Sequence, residues 1–262
     1  MKKTVFGRAV AHVFMAGAAL VLTACGGGGS DSGSSTPVTT TPEVTTPVTD
    51  PTTTPEPVAP VATAPVVPDA EVLALADATN IASSGFPWSG RFAGVVKRWT
   101  LPIPVKTNGE PRAVPAMDAI EAKLGFVVFD RTSIAASDEA TITRGIVFRQ
   151  GTSYLPAGAN PQAYCANVAR APLEGGYPST FMFAPGEISA RLYVNLDNPQ
   201  CTASPEIVIH EIGHALGLGA HFKGFGDDDG PIGPAFWPVL ATLYANPIGT
   251  PKTSVVVKQV KN

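Results

Sequence analysis

Two segments of the chain carry apolar residues at the spacing of an α-helix. The segment Val114–Leu124 repeats apolar residues every three or four positions, and Gly125 follows it as a stop signal. The second segment begins at Ser204, whose hydroxyl is suited to cap a helix, and continues through an apolar run to Gly217. The pattern therefore predicts two long helices, one near the middle of the chain and one in its last third.

Short apolar runs on either side of the first of these helices, and before the second, predict strands. The predicted strands cover residues 98–106, 126–129, 145–149 and 190–196. Prolines in the first run favour a position at a strand edge or start. Residues 151–189 are rich in Gly, Pro, Ala and Tyr and predict long loops with one edge strand, and a short helix is predicted at 69–84.

Residues 30–68 differ sharply in composition from the rest of the 262-residue chain. Twenty of these 39 positions are Pro or Thr, and the stretch has no aromatic residue, Lys or Arg. Such a stretch cannot bury enough apolar surface to offset the entropy of ordering, so we expect it to be disordered. The chain carries a net charge of −3, and no basic surface is expected, so nucleic acid is not an expected partner.

The first 25 residues have the features of an export signal. A positively charged start is followed by an apolar run at 9–22 that is too short to span a bilayer comfortably. The segment Leu22–Cys25 resembles the bacterial lipoprotein box, in which the cysteine is lipidated; an ordinary signal peptide with a chance cysteine is the alternative. We therefore expect a signal peptide at 1–24, an acylated Cys25 with a disordered tether at 25–68, and a domain at 69–262 held at the cell envelope, on the outer membrane.

The cysteine count agrees with export. Besides Cys25, the chain has Cys165 and Cys201, and an acylated Cys25 leaves these two as an even pair in an oxidising compartment. We predict a Cys165–Cys201 disulfide, with two buried free thiols as the alternative.

The second predicted helix contains the motif His210–Glu211–Ile212–Gly213–His214. Two histidines four positions apart lie on one face of a helix, so both rings can reach one zinc ion. Glu211 can then act on a zinc-activated water without binding the metal. The alternative is a helix with two hydrogen-bonded core histidines and a solvated glutamate.

A catalytic zinc takes three protein ligands, and His221 is the candidate for the third. No glutamate follows Glu211, which excludes a downstream glutamate ligand. On a continuous helix His221 would lie roughly 10 Å beyond His214 along the axis, so the helix must break between them. Gly217 and Gly219 allow that break because glycine tolerates positive φ.

The segment His210–Leu218 resembles the active-site helix of metzincin zinc peptidases, the matrixin-like members especially. The resemblance implies an α+β fold with an α/β-like upper part: a twisted mixed sheet, two main helices and an irregular C-terminal subdomain. It also implies one zinc ion held by His210, His214 and His221, Glu211 as general acid/base, and Gly217 as the turn. The chain is then a zinc metallopeptidase that cleaves a peptide or protein substrate as a monomer.

Two features depart from the metzincin pattern. His221 comes one residue late, because Ala220 occupies the expected position, and no methionine follows the motif although the clan has one beneath its zinc. We expect the segment Trp237–Tyr244 to replace the methionine turn, with Leu240 or Leu243 as the apolar floor. Tyr244 has two possible roles, as a zinc or oxyanion ligand or as a buried core tyrosine.

Two further alternatives stay open on the sequence. The acidic run Asp227–Asp229 can hold Ca²⁺ but lacks the ligand spacing of a recognised calcium loop, which favours a solvated turn. The departures around the motif also leave room for a non-catalytic, zinc-containing binding module of the cell envelope. A binding module has no need of Glu211, so its presence favours the enzyme.

Overall fold

A computed structural model describes most of the folded part of the chain. The described residues are 67–82, 93–151, 160–170, 186–227 and 230–260. The predicted signal peptide, Cys25 and nearly all of the tether lie outside them. Within the described residues, no helix has the length and apolar character needed to cross a bilayer.

Four α-helices and nine strands make up the described structure. The helices are α1 (Asp69–Ala76), α2 (Ala113–Leu124), α3 (Pro205–Leu216) and α4 (Phe236–Ala245). The strands are β1 (Arg98–Trp99), β2 (Ile103–Lys106), β3 (Phe129–Asp130), β4 (Gly145–Gln150), β5 (Ala166–Arg170), β6 (Glu187–Ile188), β7 (Arg191–Leu196), β8 (Phe222–Lys223) and β9 (Gly226–Asp227). This mixture confirms the predicted α+β class.

The central sheet has five strands in the order β3-β2-β4-β7-β5. Strands β3, β2, β4 and β7 run parallel, and β5 runs antiparallel to β7, so the sheet is mixed. In the register, Ile146 of β4 lies beside Leu192 of β7, and Val194 of β7 lies beside Val168 of β5. Strand β5 therefore forms one edge of the sheet in the described part of the chain.

The core lies between this sheet and helices α2 and α3. Helix α3 contacts α2, β5 and β7, whereas α1 contacts α4. Apolar side chains of both helices and of β4 and β7 are removed from solvent, which is the main favourable contribution to folding. Core residues include Met117, Ile120, Ile146, Leu192, Val194, Val208 and Ile212.

The two long helices end where the sequence predicts. Gly125 follows α2 with a φ of 81°, and Gly217 follows α3 with a φ of 126°. At the start of α3, the Ser204 hydroxyl accepts the backbone N–H of Ile207 at 3.3 Å. These local signals place α3, and hence the motif it carries, at a fixed point on the sheet.

The strands predicted at 145–149 and 190–196 are confirmed as β4 and β7, whereas the other two strand predictions were less accurate. The segment predicted as one strand at 98–106 forms two, β1 and β2, which belong to different sheets. Pro102 lies between them and has no N–H to donate to a ladder, so pairing stops there. Of the strand predicted at 126–129, only Phe129 belongs to β3, which continues to Asp130. Phe126 and Val127 lie before the strand and are 39% and 68% exposed.

The predicted disulfide joins Cys165 and Cys201, whose Cα atoms are 5.3 Å apart. Cys165 directly precedes β5, and Cys201 lies shortly before α3. The bond therefore ties the edge strand of the sheet to the segment that leads into the helix with the motif.

Candidate metal centre

The structure brings His210, His214 and His221 together at the C-terminal half of α3. The Nε2 atom of His221 lies 3.1 Å from Nε2 of His210 and 3.1 Å from Nε2 of His214. One nitrogen from each ring falls within 4.8 Å of the others. This convergence requires the chain to reverse after α3, and Gly217 is the residue at which the helix ends.

Backbone carbonyl groups orient two of the imidazoles. Nδ1 of His210 lies 2.9 Å from the carbonyl oxygen of Pro231, and Nδ1 of His214 lies 2.5 Å from that of Leu218. A carbonyl oxygen can only accept, so each Nδ1 carries the proton and donates it. The Nε2 lone pairs of both rings are then free and point toward the space shared with His221.

The arrangement of the three nitrogens is compatible with a bound metal ion. Tetrahedral bonds of about 2.0–2.1 Å place neighbouring ligand nitrogens about 3.3 Å apart, close to the 3.1 Å found here. Burial lowers the pKa of His210 to about 4 and also lowers the pKa values of His214 and His221. Neutral imidazoles bind metals, so this group can hold a metal ion.

Glu211 lies next to His210 on α3 and is 7% exposed. Burial disfavours the charged carboxylate and raises the pKa of Glu211 to about 8. The group of three convergent ligands does not include it. Glu211 is thus the residue that follows the first histidine in the helix, and it is not part of the convergent group.

The aromatic ring of Phe225 lies against all three imidazoles. It stacks on His210 with centroids 4.2 Å apart, and its centroid lies 4.7 Å from that of His214 and 5.8 Å from that of His221. Phe225 is fully buried. It therefore supplies an apolar floor for the cluster, a role the sequence did not suggest for this residue.

The segment in which the sequence analysis placed the floor forms helix α4 instead of a turn. Leu240 and Leu243 are fully buried there as part of the main core. The available signal for Phe225 was its position between Gly224 and Gly226, four residues after His221. Both glycines adopt positive φ, which lets the chain fold back beneath the histidines.

Gly213, inside the motif, makes room for this floor. A Cβ atom at Gly213 would lie 2.7 Å from the ring of Phe236 and 3.0 Å from the ring of Phe225. Phe225 and Phe236 are themselves stacked, with centroids 5.4 Å apart. The motif glycine thus allows the two rings to pack against α3.

Gly226 is expected to be essential for the arrangement of the histidines. An alanine Cβ there would lie 2.9 Å from ring atoms of both His210 and His221, at a φ of 82°. We expect Gly226→Ala to push these rings apart and weaken zinc binding by tenfold or more, on the order of a lost supporting contact. Titration with a chromophoric zinc chelator measures the effect.

Gly125 is the matched control for that variant. It has a φ of 81°, but a Cβ atom added there meets nothing within 4 Å. Gly125 follows α2, so Gly125→Ala imposes the same backbone strain, about 1–2 kcal/mol, away from the histidines. Equal zinc affinities for the two variants would contradict the assigned role of Gly226.

Tyr244 is a residue of α4 that lies in the core, next to the end of α3. It is 5% exposed, and its hydroxyl donates to the carbonyl oxygen of Leu216 at 2.9 Å. Burial raises the pKa of Tyr244. The hydroxyl of Tyr244 is thus hydrogen-bonded to the backbone of α3, as expected for a core tyrosine.

The acidic loop is described only in part. Asp227 ends β9 and is close enough to His221 to oppose the burial effect on the pKa of that ring. Asp228 and Asp229, the other residues of the possible Ca²⁺ loop, lie outside the described residues. Within the described part of the chain, the group able to hold a metal is the histidine cluster.

The fold and the site define an α+β domain in which two histidines of α3 and one from the segment after it form a cluster able to hold a metal ion. Comparison with protein-family models, curated proteins and solved structures found no match. The function is therefore inferred from the geometry of the site and from the motif.

Proposed function

We propose that this protein is an exported, lipid-anchored, zinc-dependent endopeptidase with a metzincin-like fold. The observation that carries the proposal is the convergence of three imidazole nitrogens from a helix whose motif also contains the buried Glu211. His210, His214 and His221 would hold the ion, and Glu211 would act as general acid/base. Three protein ligands with one open position are typical of catalytic zinc sites.

Zinc is the proposed metal because the cluster consists of imidazoles in a tetrahedral spacing. Imidazole also suits copper, iron and nickel, but those ions favour other geometries. When bound, zinc would supply a Lewis acid that polarises a substrate carbonyl and lowers the pKa of water. The stacked ring of Phe225 would limit water access from below the imidazoles.

Glu211 would move the proton that hydrolysis requires. A bound zinc dication would favour the charged carboxylate and so oppose the effect of burial on the pKa of Glu211. The carboxylate would then accept a proton from the attacking water and deliver it to the leaving amine nitrogen. The position of Glu211, next to His210 yet outside the ligand group, supports this role. A purely structural cluster would gain nothing from a carboxyl group that is only 7% exposed.

The sheet supports an extended peptide as substrate. Strand β5 is an edge strand in the described part of the chain, and it contacts α3, the helix that carries two of the histidines. A substrate strand can add to such an edge through main-chain hydrogen bonds. This arrangement, with α2 and α3 on a mixed sheet, also supports the metzincin-like fold.

The Cys165–Cys201 disulfide supports the proposed export, because such bonds persist in oxidising compartments. We propose that acylated Cys25 anchors the protein to the outer membrane. The Pro/Thr-rich tether would hold the domain away from the lipid surface.

The test is a cleavage assay with the purified full-length protein. We expect it to bind one equivalent of zinc and to cleave members of a quenched-fluorescence peptide library. A chelator should stop cleavage and added zinc should restore it, whereas His221→Ala should remain inactive under both conditions. Zinc binding without cleavage would favour the alternative, a non-catalytic binding module of the cell envelope.

A further inference from the structure

Helix α1 continues into a π-helical turn at Asp77–Ile81, which is far in sequence from the motif His210–His214. π-Helical turns are rare in proteins, and those that occur are often found at functional sites. Thr79 and Asn80 in this turn are 1% and 0% exposed, although both side chains are polar. Buried polar groups require partners, and both of these find them near His221.

Thr79 makes three hydrogen bonds to the segment between α3 and His221. Its hydroxyl donates to the carbonyl oxygen of Ala220 at 2.7 Å and accepts the N–H of the same residue at 3.1 Å. The Thr79 carbonyl oxygen accepts the N–H of Gly219 at 2.9 Å. Both main-chain polar groups of Ala220, the residue just before His221, are thus satisfied by one side chain.

Asn80 holds the other end of the same segment. Its Nδ2 group donates to the carbonyl oxygen of Gly217 at 2.8 Å and to that of Lys97 at 2.7 Å. Its Oδ1 atom accepts the N–H of Lys97 at 2.9 Å. The π-helical turn therefore contacts the segment Gly217–Ala220 at both ends.

Lys97 in the core holds the π-helical turn in place. This fully buried lysine donates from Nζ to the carbonyl oxygens of Asn80 and Ile81, at 2.5 and 2.8 Å. The cation thus satisfies carbonyl groups at the end of the turn, as cations do at helix C-termini. The support for Thr79 and Asn80 is consequently part of the core.

These contacts fall on the part of the motif that departs from the metzincin spacing. The extra residue in that pattern is Ala220, and a turn with two glycines has little conformational preference of its own. The hydrogen bonds from Thr79 and Asn80 therefore select the conformation of this turn. They fix where the chain leaves the turn and hence where the imidazole of His221 lies.

We propose that Thr79 is a positioning residue for His221, holding the lengthened turn so that the third imidazole meets the other two. The inference rests on the proposed metal centre and adds to it a residue 142 positions away from the ligand it orients. Thr79 acts through Ala220 and does not bind the metal itself.

The experiment compares Thr79→Val with Thr79→Ser and Thr242→Val in the full-length protein. Valine has the shape of threonine without its hydroxyl, and serine keeps the hydroxyl. Thr242 is the matched control, because it is also fully buried and its hydroxyl accepts a backbone N–H, that of Lys258, at 3.0 Å. The measurements are zinc affinity by chelator competition, the visible spectrum with Co²⁺, and amide exchange of Gly219 and Ala220 without metal.

We expect Thr79→Val to weaken zinc binding about 10–100-fold, as loss of a group that orients a ligand does. Its Co²⁺ spectrum should change and the two amides should exchange faster, while Thr79→Ser should restore most of the affinity. Thr242→Val should lower stability but leave zinc affinity and the spectrum unchanged.

Three results would overturn the inference, and they are distinguishable from one another. Unchanged zinc affinity in Thr79→Val would overturn it while leaving the metal centre intact. An equal loss in Thr242→Val would reduce the effect to general destabilisation. Absence of zinc binding by the parent protein would refute the proposed metal centre, and the role of Thr79 with it.

Discussion

Replacement of Glu211 by glutamine is expected to lower peptide cleavage by about 10²–10⁴-fold, the range that general acid–base catalysis contributes. Glutamine keeps the size and polarity of the side chain but cannot accept the proton of the attacking water. Zinc affinity should change little, since Glu211 is outside the group of convergent ligands. Initial rates on a peptide that the parent cleaves, with zinc content measured in parallel, give both quantities.

Glu206→Gln is the matched control for this variant. Glu206 lies in the first turn of the same helix and is exposed, so the same chemical change occurs away from the cluster. It should retain the parent rate. Full activity of Glu211→Gln would exclude Glu211 as the general acid/base, even with zinc bound.

Replacement of Phe225 by alanine is expected to lower both the stability of the protein and its zinc affinity. Truncating a buried phenylalanine costs about 3–5 kcal/mol, because apolar contacts are lost and a cavity remains. Here the cavity would open beneath all three imidazoles, so zinc affinity should also fall. Denaturant unfolding of the metal-free protein and chelator competition measure the two effects separately.

Phe148→Ala distinguishes the two consequences. Phe148 is 1% exposed on β4 in the central sheet, and its truncation should cost a similar free energy of unfolding. It should leave the zinc affinity of the folded protein unchanged. If both variants lose zinc affinity equally, Phe225 has no specific role as the floor of the cluster.

Local sequence signals predicted the elements that position the motif. Helices α2 and α3 follow from apolar spacing, the Ser204 cap and the terminal glycines, all of which act within a few residues. The bend at Gly217 could be inferred because a straight helix cannot bring His214 and His221 together. The disulfide could be inferred because two cysteines remained once Cys25 was set aside.

The floor and the support of the cluster could not be predicted in the same way. Phe225 reaches the histidines through a chain reversal. Its flanking glycines indicate that reversal but do not indicate what the ring will contact. Thr79 and Asn80 lie 137 or more positions from the turn they hold. Their hydrogen bonds exist only in the folded chain, so a pattern read along the sequence does not contain them.

The Cys165–Cys201 bond closes a covalent ring that contains β5, β6 and β7. One break of the main chain anywhere in that ring leaves every part of the protein connected. The piece that carries α2 and β4 would still be linked, through sulfur, to the piece that carries α3 and the histidines. A nicked molecule would therefore keep α3 and its histidines attached to the sheet on which that helix packs.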